Sequence, residues 1–204
     1  MAVPDQAPDS SQDGFLQGSP PRQITPSQPL ENFLQQLVAG VAGLEETLVR
    51  PRWQPQPPNL PDKALNWAAS GITKWHELGY AAVQHMSEGD GHDEMQRQEA
   101  FDLLVTFYGP LCATYASNLI DGFNIWQNRS RLKRSGLNYT GHGDIMRVPE
   151  LIKNEWIDRC DVTLSWTRMI VRDYPVLNLL DAAFTLNTDG VTKYSHGPHS
   201  ALKS

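Results

Sequence analysis

The sequence predicts an α+β domain: an antiparallel or mixed β-sheet flanked by two main α-helices, with loose ends. Three observations carry this. Apolar residues recur at helical spacing in two segments and alternate at strand spacing in several others. In addition, 11 of the 15 prolines fall at or before position 61. Proline lacks an amide donor and interrupts ladders and helices alike, so the first third of the chain is organised differently from the rest. A length of 204 residues suits one domain with an extension. The domain is expected over 29–187.

Residues 1–28 mix Pro, Gln, Ser and Asp, and their few apolar residues, among them Phe15, Leu16 and Ile24, show no period. Such a segment buries too little surface to offset the entropy of ordering it. It is expected to be a disordered arm, or one that orders on a neighbouring subunit with Phe15 and Leu16 as the anchor. A helix follows near 29–42, where Leu30, Phe33, Leu34, Leu37, Val38 and Val41 form one apolar stripe. Pro29 suits its first turn and Glu31 the positive end of its dipole. Residues 50–62, from Arg50-Pro51-Arg52-Trp53 to Pro61-Asp62, read as an extended Pro-rich strap. Within it a guanidinium could stack on the indole, and Arg50, Arg52 and Trp53 are candidate anchors for a partner.

From residue 64 the pattern turns to strands. Leu65, Trp67 and Ala69 alternate, with Ile72 and Trp75 extending the first strand to His76; Gly79–Met86 reads as a second. The polar run Ser87–Asp93 is a hairpin connection. Phe101, Leu103, Val105 and Phe107 mark a third strand starting near Met95. Gly109-Pro110 closes it and opens a second helix, with Leu111, Tyr115, Leu119, Phe123 and Trp126 on one side and Gly136 as the stop. A short strand is expected around Ile145 and Arg147. The clearest strand then places Trp156, Cys160, Val162, Leu164 and Trp166 on its buried face. A further segment carries Leu177, Leu180, Ala182, Phe184 and Leu186, and 188–204 reads as a flexible tail.

Catalytic signatures are sparse. His85, Asp90 and His92 form the densest imidazole and carboxylate group, and a metal-dependent hydrolase would be built there. They sit across a Gly-rich turn rather than at rigid ligand spacing, so a solvated hairpin tip is expected and no metal. Cys160 reads as a small core residue; Cys112 opens a helix without a placeable His partner, so it too reads as structural. Two cysteines make no disulfide scaffold and fit a reducing compartment. No nucleophile elbow, phosphate loop or dinucleotide fingerprint is present, so no catalytic residue and no cofactor are expected. Arg129, Arg131, Lys133 and Arg134 form a basic cluster. It is expected to complement a helix terminus, with a small nucleic-acid-binding module as the alternative. A net charge of −6 argues against a protein that coats nucleic acid. No apolar run reaches the roughly 18 to 20 residues of a membrane helix, and no secretory signal is visible.

Particular strings add to this. Leu48-Val49-Arg50-Pro51-Arg52-Trp53-Gln54-Pro55, Pro57-Pro58-Asn59, Asn66-Trp67 and Gly71-Ile72 resemble the neck (tail) terminator proteins of tailed bacteriophages. So do Met95-Gln96-Arg97, Phe107-Tyr108-Gly109-Pro110, Asp161-Val162-Thr163-Leu164 and Tyr174-Pro175-Val176-Leu177-Asn178-Leu179-Leu180. The similarity is collinear over about 30–187; the long segment 1–28 and the tail 188–204 depart from the family's pattern. The resemblance implies a structural virion protein without enzymatic activity. It would assemble in the host cytoplasm as a ring, typically a homohexamer, capping the tail tube and joining it to the head-tail connector. Partners would be other copies of the chain, the tube protein, a sheath protein where the tail has one, and the connector. DNA would cross the lumen without specific binding, and no membrane is involved.

Overall fold

In the computed structural model, which describes residues 8–23, 28–54, 61–152 and 154–179, the first helix, α1, spans Gln28–Ala42. Its buried residues Leu30, Leu34, Val38, Ala39 and Ala42 are the expected stripe. Gly43, at φ +79, ends it in the left-handed conformation that an L side chain resists. A 3-10 turn, Glu46–Leu48, leads into β1, Val49–Pro51. Strands β2, Trp67–Met86, and β3, His92–Tyr108, follow, then helices α2, Cys112–Asn124, and α3, Trp126–Arg134. The remaining strands are β4 Leu137–His142, β5 Met146–Arg147, β6 Glu150–Ile152, β7 Glu155–Ile157 and β8 Arg159–Tyr174.

The main sheet runs β1-β2-β3-β8-β4, with β5 also on β8; β6 and β7 form a separate antiparallel pair. β1 is parallel to β2, whereas β4 and β5 are antiparallel to β8, so the sheet is mixed. One face alternates into the core: Phe101, Leu103, Val105 and Phe107 from β3, and Cys160, Val162, Leu164 and Trp166 from β8. Leu30, Leu34 and Val38 of α1 and Ala116, Leu119 and Phe123 of α2 complete that core. This is the α+β arrangement that the periodicities predict.

Several boundaries differ from expectation. The two strands expected over 65–86 are one 20-residue strand. Gly79 sits inside it at φ +74, so the glycine that looks like a strand boundary marks a local irregularity within one. The expected second helix is two. Ile125 is extended, at ψ 123, which ends α2, and the Gly122 carbonyl accepts from the Ile125 amide at 3.2 Å and from Asn128 Nδ2 at 2.8 Å. That break turns Trp126 off the buried face, leaving it 75% exposed. Trp156 does not lie on the long buried strand; it belongs to β7 and is 71% exposed. Strands β4, β6 and β7 were not anticipated. Residues 175–179 have no regular structure, and Leu180, Ala182, Phe184 and Leu186 lie outside the described residues, as does the tail 188–204.

The chain divides into two units. The larger comprises Ser19–Val83 and Met95–Arg172 and holds the core. Here the start of the chain runs beside β8: the Arg22 amide donates to the Val171 carbonyl at 3.1 Å, and the Val171 amide to Gln23 Oε1 at 3.0 Å. The smaller unit comprises Met1–Gly18, Gln84–Glu94 and Asp173–Ser204. In it the Ser10 amide donates to the Pro175 carbonyl at 3.0 Å, and the Leu177 amide to Ser10 Oγ at 2.7 Å.

Candidate assembly surfaces

The strap residues are fixed by the sheet they lie on. Parallel pairing places Arg50 opposite Ala69, and the Arg52 amide continues the ladder by donating to the Ser70 carbonyl at 2.8 Å. Gly71 permits this approach, because a Cβ there would lie 2.8 Å from the Cβ of Arg52. The Arg52 guanidinium donates to Thr106 Oγ1. Arg50 stacks at 5.8 Å on Trp67, Trp67 stacks at 4.2 Å on Tyr108, and Arg159 lies 5.9 Å from the Tyr108 ring. One rung thus crosses β1, β2, β3 and β8 in sheet order, alternating cation, indole, phenol, cation. Arg159 is held by a two-point contact with Asp161, at 2.9 and 2.7 Å, and by Glu150 at 3.0 Å. These contacts raise its pKa, the Asp161 hydrogen bond most. Burial likewise pushes the Tyr108 hydroxyl up.

The guanidinium–indole stacking anticipated inside the strap therefore uses Trp67 rather than Trp53. Arg50 and Arg52 are engaged by their own sheet. Trp53 donates weakly to the Ile72 carbonyl, at 3.4 Å, and keeps 60% of its surface exposed. Of the other two candidate anchors, Phe15 is 93% exposed and Leu16 is half-buried. Residues 55–60 of the strap lie outside the described residues.

The longest run of exposed residues among those described was not anticipated. Beyond Ile72, thirteen consecutive residues of β2, Thr73–His85, are exposed, including Trp75, Leu78, Tyr80 and Val83. The pairing with β1 stops at Ser70, and the Trp53 indole of the strap reaches the Ile72 carbonyl, so both contacts precede this stretch. At its root is a chain of charges. Arg168 is bound to Glu99, Glu99 to Arg97 at 3.0 Å, and Arg97 to Glu77 at 3.3 Å. Arg168 also lies 5.4 Å from the Trp75 ring. Glu99 and Arg168 are buried, a costly arrangement unless each charge is compensated.

In the smaller unit, the turn after β2 is filled by Asn178. Its Nδ2 donates to the carbonyls of Ser87 and Gly89 at 3.2 and 3.1 Å, and its amide donates to the Asp90 carbonyl at 2.8 Å. Gly91, at φ +94, leaves the space; a Cβ there would lie 2.5 Å from Asn178 Oδ1. That oxygen faces His85 Nε2 at 2.9 Å, while His85 Nδ1 is 2.7 Å from Asp93 Oδ1. The contact with Asp93 raises the His85 pKa most, followed by that with Asn178. Both ring nitrogens of His85 are engaged, which leaves it no lone pair for a metal. Among the described residues no three His, Cys, Asp or Glu side chains converge as ligands, so His85, Asp90 and His92 are not brought into one centre.

The basic cluster forms α3. Arg129, Arg131 and Arg134 are exposed, and Leu132 is the helix's buried contact. A cavity of about 300 Å³ lined by Trp126, Arg129, Ser130 and Tyr139 adjoins it. Cys112 and Cys160 are both buried with their Sγ atoms 3.0 Å apart, and burial pushes the Cys160 thiol up to about 12. No helix among the described residues is long and apolar enough to cross a membrane.

A family model described as phage neck terminator protein matches residues 28–190. That span runs from the first residue of α1 past the end of β8 and takes in the whole helix-backed sheet. Comparison with curated proteins finds no match.

Proposed function

The chain belongs to the phage neck terminator family, a family of structural proteins of the virion neck, and from that membership we propose that it forms a homohexameric ring. The ring ends the tail tube and joins it, with any sheath, to the head-proximal connector. DNA crosses its lumen unbound, the chain carries no catalysis, and assembly takes place in the host cytoplasm. The observation that carries this is the family match over the whole folded core. Two further features agree with it. A ring needs two unlike surfaces on each subunit, and the exposed half of β2 and the surface of α3 are unlike. Charge suits a conduit as well: six copies at −6 each carry about −36, which repels a polyanion in transit.

Native mass measurement on the purified chain, alone and with its tube and connector proteins, tests the ring. The expected result is a discrete six-copy species, with the labelled subunit imaged between head and tail in the particle. A strict monomer in every mixture would overturn it.

A further inference from the structure

We propose that the subunits of this ring engage through charge, the acidic β2–β3 hairpin tip of one copy docking on the basic helix α3 of the next. The proposal rests on the ring reading and names the surfaces that would close it. Two segments of opposite sign stand out in a chain whose net charge is −6. The tip, 87–94, contains Glu88, Asp90, Asp93 and Glu94 and no Lys or Arg. Helix α3 contains Arg129, Arg131, Lys133 and Arg134 and no Asp or Glu. Glu88 and Asp90 are exposed, as are Arg129, Arg131 and Arg134.

Local partners answer only part of this charge. At the tip, His85 answers Asp93, but the polar contacts at Glu88 and Asp90 come from their backbone carbonyls, which accept from Gly91 and Asn178. On α3, Arg129 donates to the Asn124 carbonyl at 3.5 Å. Among the described residues no ion pair involves Arg129, Arg131 or Arg134. Arg131 and Arg134 are three residues apart and so share a helix face. Trp126 and Ile125, 75% and 57% exposed, supply an apolar anchor at the start of the same helix.

The signs select the geometry. A tip meeting a tip repels, and so does one α3 meeting another, so neither patch pairs with its own copy. The attractive pairing joins unlike patches on successive copies, and a head-to-tail contact of this kind makes a ring when its rotation closes, as the ring reading requires. Nucleic acid as the occupant of α3 would satisfy the helix but leave the tip, and the −6 chain around it, repelling the ligand. A second copy satisfies both patches.

Charge exchange tests this. The Glu88→Lys/Asp90→Lys and Arg131→Glu/Arg134→Glu variants are each expected to weaken assembly more than 100-fold in concentration, read by light scattering. Mixing the two variants, or combining all four changes in one chain, is expected to recover assembly to within about tenfold. Neutral Glu88→Gln/Asp90→Asn and Arg131→Gln/Arg134→Gln chains, with unchanged circular dichroism, should fall between. Raising salt from 0.1 to 1 M shortens the screening length from about 10 to 3 Å and should weaken the wild-type ring. Reversed variants that assemble like wild type would overturn the proposal and leave the ring standing. So would failure of the exchange to rescue folded variants. If α3 reversal instead abolishes binding of a duplex DNA probe and spares assembly, the helix is a nucleic-acid surface and the proposal falls. A wild-type chain that stays monomeric with all its partners removes the ring reading and this contact together.

Discussion

Over Trp67–Ile72, β2 packs into the helix-backed core; over the next thirteen residues the same strand has every side chain exposed. Large apolar residues do not separate the two stretches, although the second also carries the charged Lys74 and Glu77. Trp67, Ala68 and Ile72 occupy the first, and Trp75, Tyr80, Ala81, Ala82 and Val83 the second. What differs is what lies above them: α1 and α2 contribute their stripes to the cluster that holds Ala68 and Ile72, whereas Tyr80 remains 102% exposed. A strand needs ladder partners to form and a covered face to be buried, and these are separate requirements. The buried stretch is completed within the chain. The exposed one is where a second molecule would gain most by covering apolar surface.

The largest expected effect tests this contrast directly. Trp166 is fully buried and packs against Phe101, Phe123 and Tyr139, with ring centroids 6.3, 5.4 and 5.4 Å away. Trp166→Ala should cost about 3–5 kcal/mol in denaturant unfolding, as large aromatic deletions in a core do. Tyr80→Ala, an equally drastic truncation in the exposed half, should stay within about 0.5 kcal/mol for the isolated chain. A comparable loss at both positions would mean that the exposed half of β2 is covered after all.

A smaller effect sharpens the boundary between the two halves. Glu99 sits between Arg168 and Arg97, and Arg97 passes the chain of charges to Glu77 on β2. Glu99→Ala leaves the buried Arg168 without that carboxylate and should destabilise by about 3 kcal/mol. Replacing both members, Glu99→Leu with Arg168→Met, should recover most of the loss, because two apolar groups need no compensation. A neutral Glu99→Ala would show that stacking of Arg168 on Trp75 carries the root of the exposed half instead.

The helix-backed half is also the half that the sequence spells out. The stripe of α1 and the alternation from Cys160 to Trp166 survive because each residue's burial follows from the period of its own element. The α2–α3 break was hidden for the same reason: Trp126 follows Phe123 at helical spacing, and the pattern runs on through a backbone that does not. Beside the break, Gly122 lets α1 approach α2 closely, since a Cβ there would lie 2.4 Å from Val41 Cγ1, and that contact is long-range in sequence. β6 and β7 are three residues each, too short for a period to register. The strap shows the same division in the candidate surfaces. Its composition identified Arg50, Arg52 and Trp53 as ring-stacking and anchoring residues. The partners Trp67 and Thr106 lie 17 and 54 positions along the chain from Arg50 and Arg52, and Tyr108 beyond Trp67 lies 58 from Arg50, so they carry no local signal.

The smallest effect concerns the tip, where charge rather than apolar area decides. Two carbonyls fix the orientation of the Asn178 amide, so its Oδ1 must accept, and His85 Nε2 must donate to it. Nδ1 donates to the Asp93 carboxylate, so the ring is best satisfied with both nitrogens protonated. The folded-state pKa is accordingly raised above 6.5, with Asp93 the main cause. Desolvation of the ring opposes the shift without reversing it. A raised pKa gives a contribution fully present below pH 6.5 that fades as pH climbs through the folded value. The His85 ring should therefore titrate by NMR with a midpoint above 6.5, and the Asn178 side-chain amide should shift with the same midpoint. His85→Gln should abolish the pH dependence at Asn178 and leave Trp166 packing and the unfolding transition of the helix-backed half unchanged. An Asn178 signal indifferent to pH would mean that the turn is held by its three carbonyls alone and that His85 answers only to Asp93.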